Sequence, residues 1–183
     1  HVEMARDLSR PLDERKKVRK LQEEFQERNA SDRAAFAAEH GMEPTSREFE
    51  RFQLYREQSG KCAYSLQPLD LDRVLTEQGY AEVDHALPYS RSFDDSKNNK
   101  VLALTRENRD KANRTPYEYL TSLNADRWRE FEAWVNANSL YRQAKRSRLL
   151  RKDFSTDAAA DFRDRNLNDT RYICRFFKNY VEQ

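Results

Sequence analysis

Two short strand-like stretches, the alternating Tyr80–His85 (Tyr-Ala-Glu-Val-Asp-His) and the Val- and Leu-rich Lys100–Leu104, interrupt a sequence whose apolar residues otherwise recur mostly at helical spacing. Gly79 precedes the first. Pro88 and an Asp94-Asp95-Ser96 turn signal lie in the loop between them. Thr105 follows the second as a predicted N-cap for a short polar helix over Arg106–Ala112. A chain with one strand–loop–strand–helix unit and helices around it folds as α+β, mostly helical.

The surrounding helices are marked by their ends. Thr45 with Glu48, and Thr115 with Glu118, each have the spacing of a capping box. The first precedes Phe49, Phe52 and Tyr55 and stops at Gly60; the second has Pro116 at its first helical position. Trp128, Phe131 and Val135 mark an amphipathic helix. Toward the N-terminus, Pro11 opens a charged helix over Asp13–Arg28, with Val18, Leu21 and Phe25 as a narrow stripe. A separate short helical stretch, Arg33–Glu39, follows, ended by Gly41 and Pro44. Lys61–Tyr64 is a further strand candidate. Asn166–Asp169 is predicted to cap a last helix, Thr170–Val181.

Composition narrows the function classes. Hydrophobic residues make up 37% and charged residues 36% of the 183, so the core must be small or split among short helices. No apolar run approaches the ~20 residues needed to span a bilayer. Lys and Arg (34) nearly balance Asp and Glu (32), giving +2. This permits a nucleic-acid partner without arguing for one. Cys62 and Cys174 are far apart with no Cys-x-x-Cys, which excludes a four-cysteine zinc site; two free thiols are expected. The sequence starts at His1 with no signal-like stretch behind it, and is expected to begin inside a larger protein.

The strand–loop–strand–helix unit carries Asp84-His85, Asn99, Asn108 and Lys111. Hydrolysis of a phosphodiester needs a base active near neutral pH, and histidine suits that role. It also needs a cation against the charge building on the phosphate, and Mg²⁺ takes hard oxygen donors such as a carboxylate and an amide carbonyl. Adjacent strand residues point to opposite faces, so Asp84 and His85 can share one site only where the strand ends and twists. Lys111 falls one turn after Asn108, on the same helix face.

These residues carry a resemblance. Asp84-His85-Ala-Leu-Pro88-Tyr-Ser90, then Asp94-Asp95-Ser96-Lys-Asn-Asn99-Lys100-Val-Leu, then Glu107-Asn108-Arg109-Asp-Lys111, resembles the HNH nuclease domain of type II CRISPR RNA-guided DNA endonucleases. Gly60-Lys-Cys-Ala-Tyr64-Ser and Thr115-Pro-Tyr-Glu-Tyr look most like the compact type II-C branch. His1-Val-Glu3-Met-Ala-Arg6 resembles the family's second RuvC motif. Arg165-Asn-Leu-Asn-Asp169-Thr-Arg171-Tyr172 resembles the segment returning to RuvC.

The resemblance implies a ββα-metal core with one Mg²⁺, Mn²⁺ able to substitute, and flanking linker helices. It implies His85 as general base, Asp84 and Asn108 as metal ligands, and Asn99 and Lys111 in support. Glu3 would be one ligand of an incomplete RuvC site. The implied organisation is a RuvC remnant at 1–10, a helical linker at 11–44, the HNH domain at 45–138 and a basic linker at 139–183. The implied partner is a guide RNA–target DNA heteroduplex, cut on the target strand, in the bacterial cytoplasm. The isolated chain is expected to be monomeric and weakly active.

Plainer readings compete for several residues. Asp94-Asp95 reads as a turn and loop cap. The run 141–152, with six basic residues and no acid, reads as a solvated helix face or as a contact for a nucleic-acid backbone. Trp128, Phe131 and Trp134 read as core. Tyr64 suits either a core position or a site wall. As a different class of function, the chain would be a docking surface for a protein partner, such as an anti-CRISPR inhibitor.

Overall fold

The computed structural model describes residues 12–165, so Glu3, Cys174 and the expected final helix lie outside the described residues. The chain divides into two compact units, between Glu50 and Arg51.

In the first unit, Leu12–His40 forms one helix, α1. Two helices were expected here. The Asn29-Ala30-Ser31-Asp32 stretch lacks Gly and Pro, and the weak helix propensity of its polar residues, at most ~0.7 kcal/mol each, does not break a helix of this length. Gly41, at φ +68°, ends α1, where only glycine takes the left-handed turn without strain. The Arg33 guanidinium lies 4.3 Å from the Phe49 ring centroid. The expected box at Thr45 forms: Glu48 N–H donates to Thr45 Oγ1 at 3.3 Å, and Thr45 N–H to Glu48 Oε2 at 2.8 Å. It opens α2, Ser46–Glu57, which crosses the unit boundary.

The second unit is built on a two-stranded antiparallel sheet. β1 is Ala81–His85 and β2 is Lys100–Leu104, with His85 opposite Lys100 and Ala81 opposite Leu104. α3 (Leu71–Thr76) precedes the sheet. α4 (Tyr89–Ser92) and a 3₁₀ turn (Lys97–Asn99) fill the connection, and α5 (Thr105–Lys111) follows β2 and packs on both strands. The arrangement is the expected ββα core within a mostly helical α+β fold. Two local expectations change. Among the described residues, Lys61–Tyr64 makes a single bridge, Lys61 to Pro68, and no strand. Thr105 is the first helical residue instead of the cap, and its buried hydroxyl has no hydrogen-bond partner among the described residues.

The free edge of β2 is covered by a side chain. The Gln58 amide donates to Leu102 O at 2.8 Å, and Leu102 N–H donates to Gln58 Oε1 at 2.7 Å. Gln58 thus stands in for a third strand and blunts the edge. Ala63 N–H adds a 3.0 Å bond to Leu102 O, which fixes the Tyr64 loop beside the sheet.

α6 (Pro116–Leu123) starts from the Thr115–Glu118 capping box, and α7 (Ala125–Ala137) from Asn124, whose side chain accepts from Arg127 N–H. α8 (Gln143–Leu149) follows, and residues 156–165 are helical. Trp128, Phe131 and Val135 are buried with Tyr64, Val101, Leu102 and Leu120 in the main core. Tyr141 and Leu149 join that core, so the basic run is solvated only in part: Lys145 is buried, whereas Arg142 and Lys152 are exposed. Lys145 Nζ reaches Glu57 Oε2 at 2.6 Å, Arg148 Nε reaches Asp94 Oδ2 at 2.5 Å, and Lys152 Nζ reaches Glu132 Oε1 at 3.0 Å.

Candidate active site

β1 ends at His85, and its last two side chains find separate partners. Asp84 Oδ2 accepts from the Tyr64 hydroxyl at 2.5 Å and pairs with Lys111 Nζ at 2.9 Å. Lys111 Nζ also donates to the His85 carbonyl at 3.0 Å. One ammonium therefore ties the end of α5 to both residues of the Asp-His pair. Asn108 and Lys111, expected on one helix face, reach carboxylates two residues apart on β1: Lys111 meets Asp84, and Asn108 Nδ2 donates to Glu82 Oε2 at 2.8 Å. Glu82 was not singled out from the sequence. Strand alternation was the available signal, since residues 82 and 84 share a face of β1.

Lys111 is fully buried. Burial lowers its pKa, and the neighbouring Asp84 carboxylate works against that shift. Tyr64, also fully buried, is pushed well above the usual phenol range by burial first and by the Asp84 charge second. Its proton stays on the phenol, so it is the donor to Asp84.

His85 is partly exposed, at 28% of its side chain. Its Nε2 lies 2.8 Å from Asp95 Oδ1, and that same oxygen lies 3.0 Å from Lys100 Nζ. Its ring lies 5.6 Å from the Tyr89 ring, which stacks onward to Phe93 at 5.8 Å. The expected turn role holds for Asp94: its Oδ1 accepts from Ser96 N–H at 2.9 Å, while Oδ2 anchors Arg148. Asp95 is engaged differently, by His85.

Asn99 is buried. Its amide accepts from Leu87 N–H and donates to Leu87 O and Asp94 O, each at 2.8 Å. It pins both ends of the segment that follows His85. Arg91, in α4, holds the outer side through Glu118 at 2.7 Å.

Among the described residues, no three His, Cys, Asp or Glu side chains converge as a metal cluster. The donors near the end of β1 are oxygens. Asp84 Oδ1 has no hydrogen-bond partner among the described residues, and the Asn108 side-chain carbonyl is left over by its amide's bond to Glu82. A hard divalent cation that keeps several waters fits such a set, whereas a nitrogen- or sulfur-rich zinc centre does not.

Comparison with known proteins identifies the domain type. The family model for HNH endonuclease matches residues 62–117, which contain both strands, α5 and every candidate residue of this site. CRISPR-associated endonuclease Cas9 1 of Streptococcus thermophilus is 31% identical over the whole chain. The Cas9 endonucleases of Staphylococcus aureus and Campylobacter jejuni are 37% and 36% identical over 72% and 78% of it. The chain spans only 17%, 13% and 14% of the length of these three relatives. A crystal structure of Streptococcus thermophilus Cas9 with an AGGA PAM superposes on 95% of the chain, with a TM-score of 0.74 and 28% identity, and the chain covers 18% of it. Fold, motif order and similarity converge: this chain carries an HNH endonuclease domain of the kind found in the Cas9 endonucleases.

Proposed function

We propose that this HNH domain hydrolyses the DNA strand paired to a guide RNA, as one part of a larger RNA-guided endonuclease of the bacterial cytoplasm. The proposed ion is Mg²⁺, replaceable by Mn²⁺, held by Asp84 Oδ1 and the Asn108 carbonyl. Such an ion supplies stabilisation of the negative charge that builds on the phosphate.

The chain's own residues supply the base and its orientation. With Asp95 accepting at Nε2, the His85 proton sits on Nε2 and the lone pair on Nδ1. Nδ1 has no hydrogen-bond partner among the described residues. It takes a proton from a water, the water oxygen bonds to phosphorus as the bond from phosphorus to the leaving sugar oxygen breaks, and that oxygen takes a proton from solvent water. Lys111 holds Asp84 and the His85 backbone in register. Asn99 keeps the following segment in place.

The observation that carries this reading is an imidazole with one nitrogen held by a carboxylate, next in sequence to an aspartate with one free oxygen. The test is cleavage of a guide-paired DNA strand in Mg²⁺ or Mn²⁺ by the parent endonuclease, wild type against His85→Ala. Losing the base is expected to slow cleavage by about 10²–10⁴-fold, with guide and target binding unchanged. Equal rates would refute the assignment of His85.

A further inference from the structure

We infer that Tyr64 is a positioning residue for the metal ligand Asp84, setting which carboxylate oxygen is presented to the ion. The inference rests on the proposed metal role of Asp84. Two donors converge on one oxygen: the Tyr64 hydroxyl at 2.5 Å and Lys111 Nζ at 2.9 Å, both on Oδ2. They come from separate places, the loop after α2 and the end of α5, and both residues are fully buried. Oδ1 takes no bond from a described residue. A carboxylate gripped this way cannot rotate without breaking a buried bond, so it offers one oxygen, always the same one.

The Tyr64 ring is itself immobilised. It meets Tyr119 edge-on at 6.0 Å and Phe131 at 6.4 Å, and its loop is tied down where Arg127 donates to the Tyr64 carbonyl at 3.0 Å. A tyrosine needed only to fill the core would not have to aim its hydroxyl at the strand end. Lys111 alone would leave the carboxylate free to swing about one contact. With the tyrosine added, Oδ2 is occupied and Oδ1 is left without a partner among the described residues before any ion arrives, which is the preorganisation a metal ligand needs.

The test is Mn²⁺ binding to this chain, followed by electron paramagnetic resonance of the free ion, for wild type, Asp84→Asn, Tyr64→Phe and Tyr119→Phe. Tyr119→Phe is the control, because it removes a comparable hydroxyl that bonds Glu107 at 3.0 Å instead of Asp84. Tyr64→Phe is expected to weaken Mn²⁺ binding by about 10–100-fold, the usual loss when a ligand's supporting partner is removed. Tyr119→Phe is expected to leave it within about twofold. If Asp84→Asn abolishes binding and Tyr64→Phe does not weaken it, the Tyr64 inference fails while the metal reading stands. If wild type and Asp84→Asn bind alike, or neither binds, the metal reading fails and takes the inference with it.

A second measurement covers the case of a variant that does not fold. In the wild-type chain with ¹³C-labelled tyrosine, Mg²⁺ saturation is expected to move the Tyr64 Cζ resonance and leave that of Tyr119 in place. A Tyr64 resonance indifferent to Mg²⁺ would overturn the inference.

Discussion

Asp95 Oδ1 lies 2.8 Å from His85 Nε2 and 3.0 Å from Lys100 Nζ, and His85 and Lys100 face each other across the β1–β2 pair. One carboxylate thus bridges a cross-strand pair from the loop that joins its strands. The His85 bond, followed by the Lys100 bond, holds the Asp95 carboxyl below the usual carboxylate range. It therefore stays ionised through mildly acidic pH and keeps the imidazole proton on Nε2. Asp95→Ala is expected to slow cleavage by the parent endonuclease about tenfold, the low end for losing such a partner because Asp95 is two-thirds exposed. The companion measurement is ¹⁵N NMR of the imidazole: a single Nε2–H tautomer in wild type and a mixture in the variant. An unchanged tautomer would sink the orienting role.

Ala112 sits at φ +50°, ψ −133° just after α5, a conformation that costs a residue with a Cβ about 1–3 kcal/mol. Ala112 is exposed, so its methyl contributes little packing. Ala112→Gly is expected to stabilise the protein by about 1 kcal/mol, after the extra freedom of glycine in the unfolded chain is subtracted. Urea titration measures it. A variant less stable than wild type would show that the strain is relieved by relaxation in solution.

The strands, α5, both capping boxes and the residues at the end of β1 were legible in the sequence, because each rests on local spacing: alternation, a cap three residues from its partner, a breaker after a run. What spacing does not carry is partnership between distant residues. Tyr64 and Asp84 are 20 residues apart, and Arg148 and Asp94 are 54 apart. No local pattern announces either pair. The basic run misled for the same reason. Its charges look free in the sequence because the acids that neutralise Lys145, Arg148 and Lys152 come from α2, the strand connection and α7. Gln58 acting as a strand edge has no sequence signature either.

Glu118 joins the α6 capping box to Arg91, which also bonds the backbone of Asn113 and Phe154. Burial raises its pKa, but the bonds from Arg91 and from Thr115 outweigh that, and the net shift is downward. A folded-state pKa below the unfolded one adds stability that is fully present above the unfolded value, ~4.3, and is lost as pH falls through the folded value. Glu118→Gln is therefore expected to cost about 1 kcal/mol at pH 7, with the Glu118 side chain one-third exposed. The gap between variant and wild type should close on acidification below the ordinary carboxylate range. Urea melts from pH 7 to pH 3 give both curves; a gap independent of pH would remove the ion pair as its cause.

Lys145 tests whether the basic segment is architecture or a nucleic-acid contact. Its side chain is 2% exposed and its Nζ lies 2.6 Å from Glu57 Oε2, with the Tyr141 ring 5.2 Å away. Burial lowers the pKa of this lysine, and the Glu57 charge opposes the shift. Removing one partner of a buried ion pair leaves the other charge stranded, which costs about 3–5 kcal/mol, whereas replacing both by apolar groups is often neutral. Lys145→Met is expected to lose stability in that range, and Lys145→Met with Glu57→Leu to recover most of it. Nucleic-acid binding by the folded double variant should keep the salt dependence of wild type, because a lysine already neutralised inside the protein releases no counterion from a phosphate. A reduced salt slope in that variant, with stability restored, would mean that Lys145 leaves Glu57 for the nucleic-acid backbone in the complex.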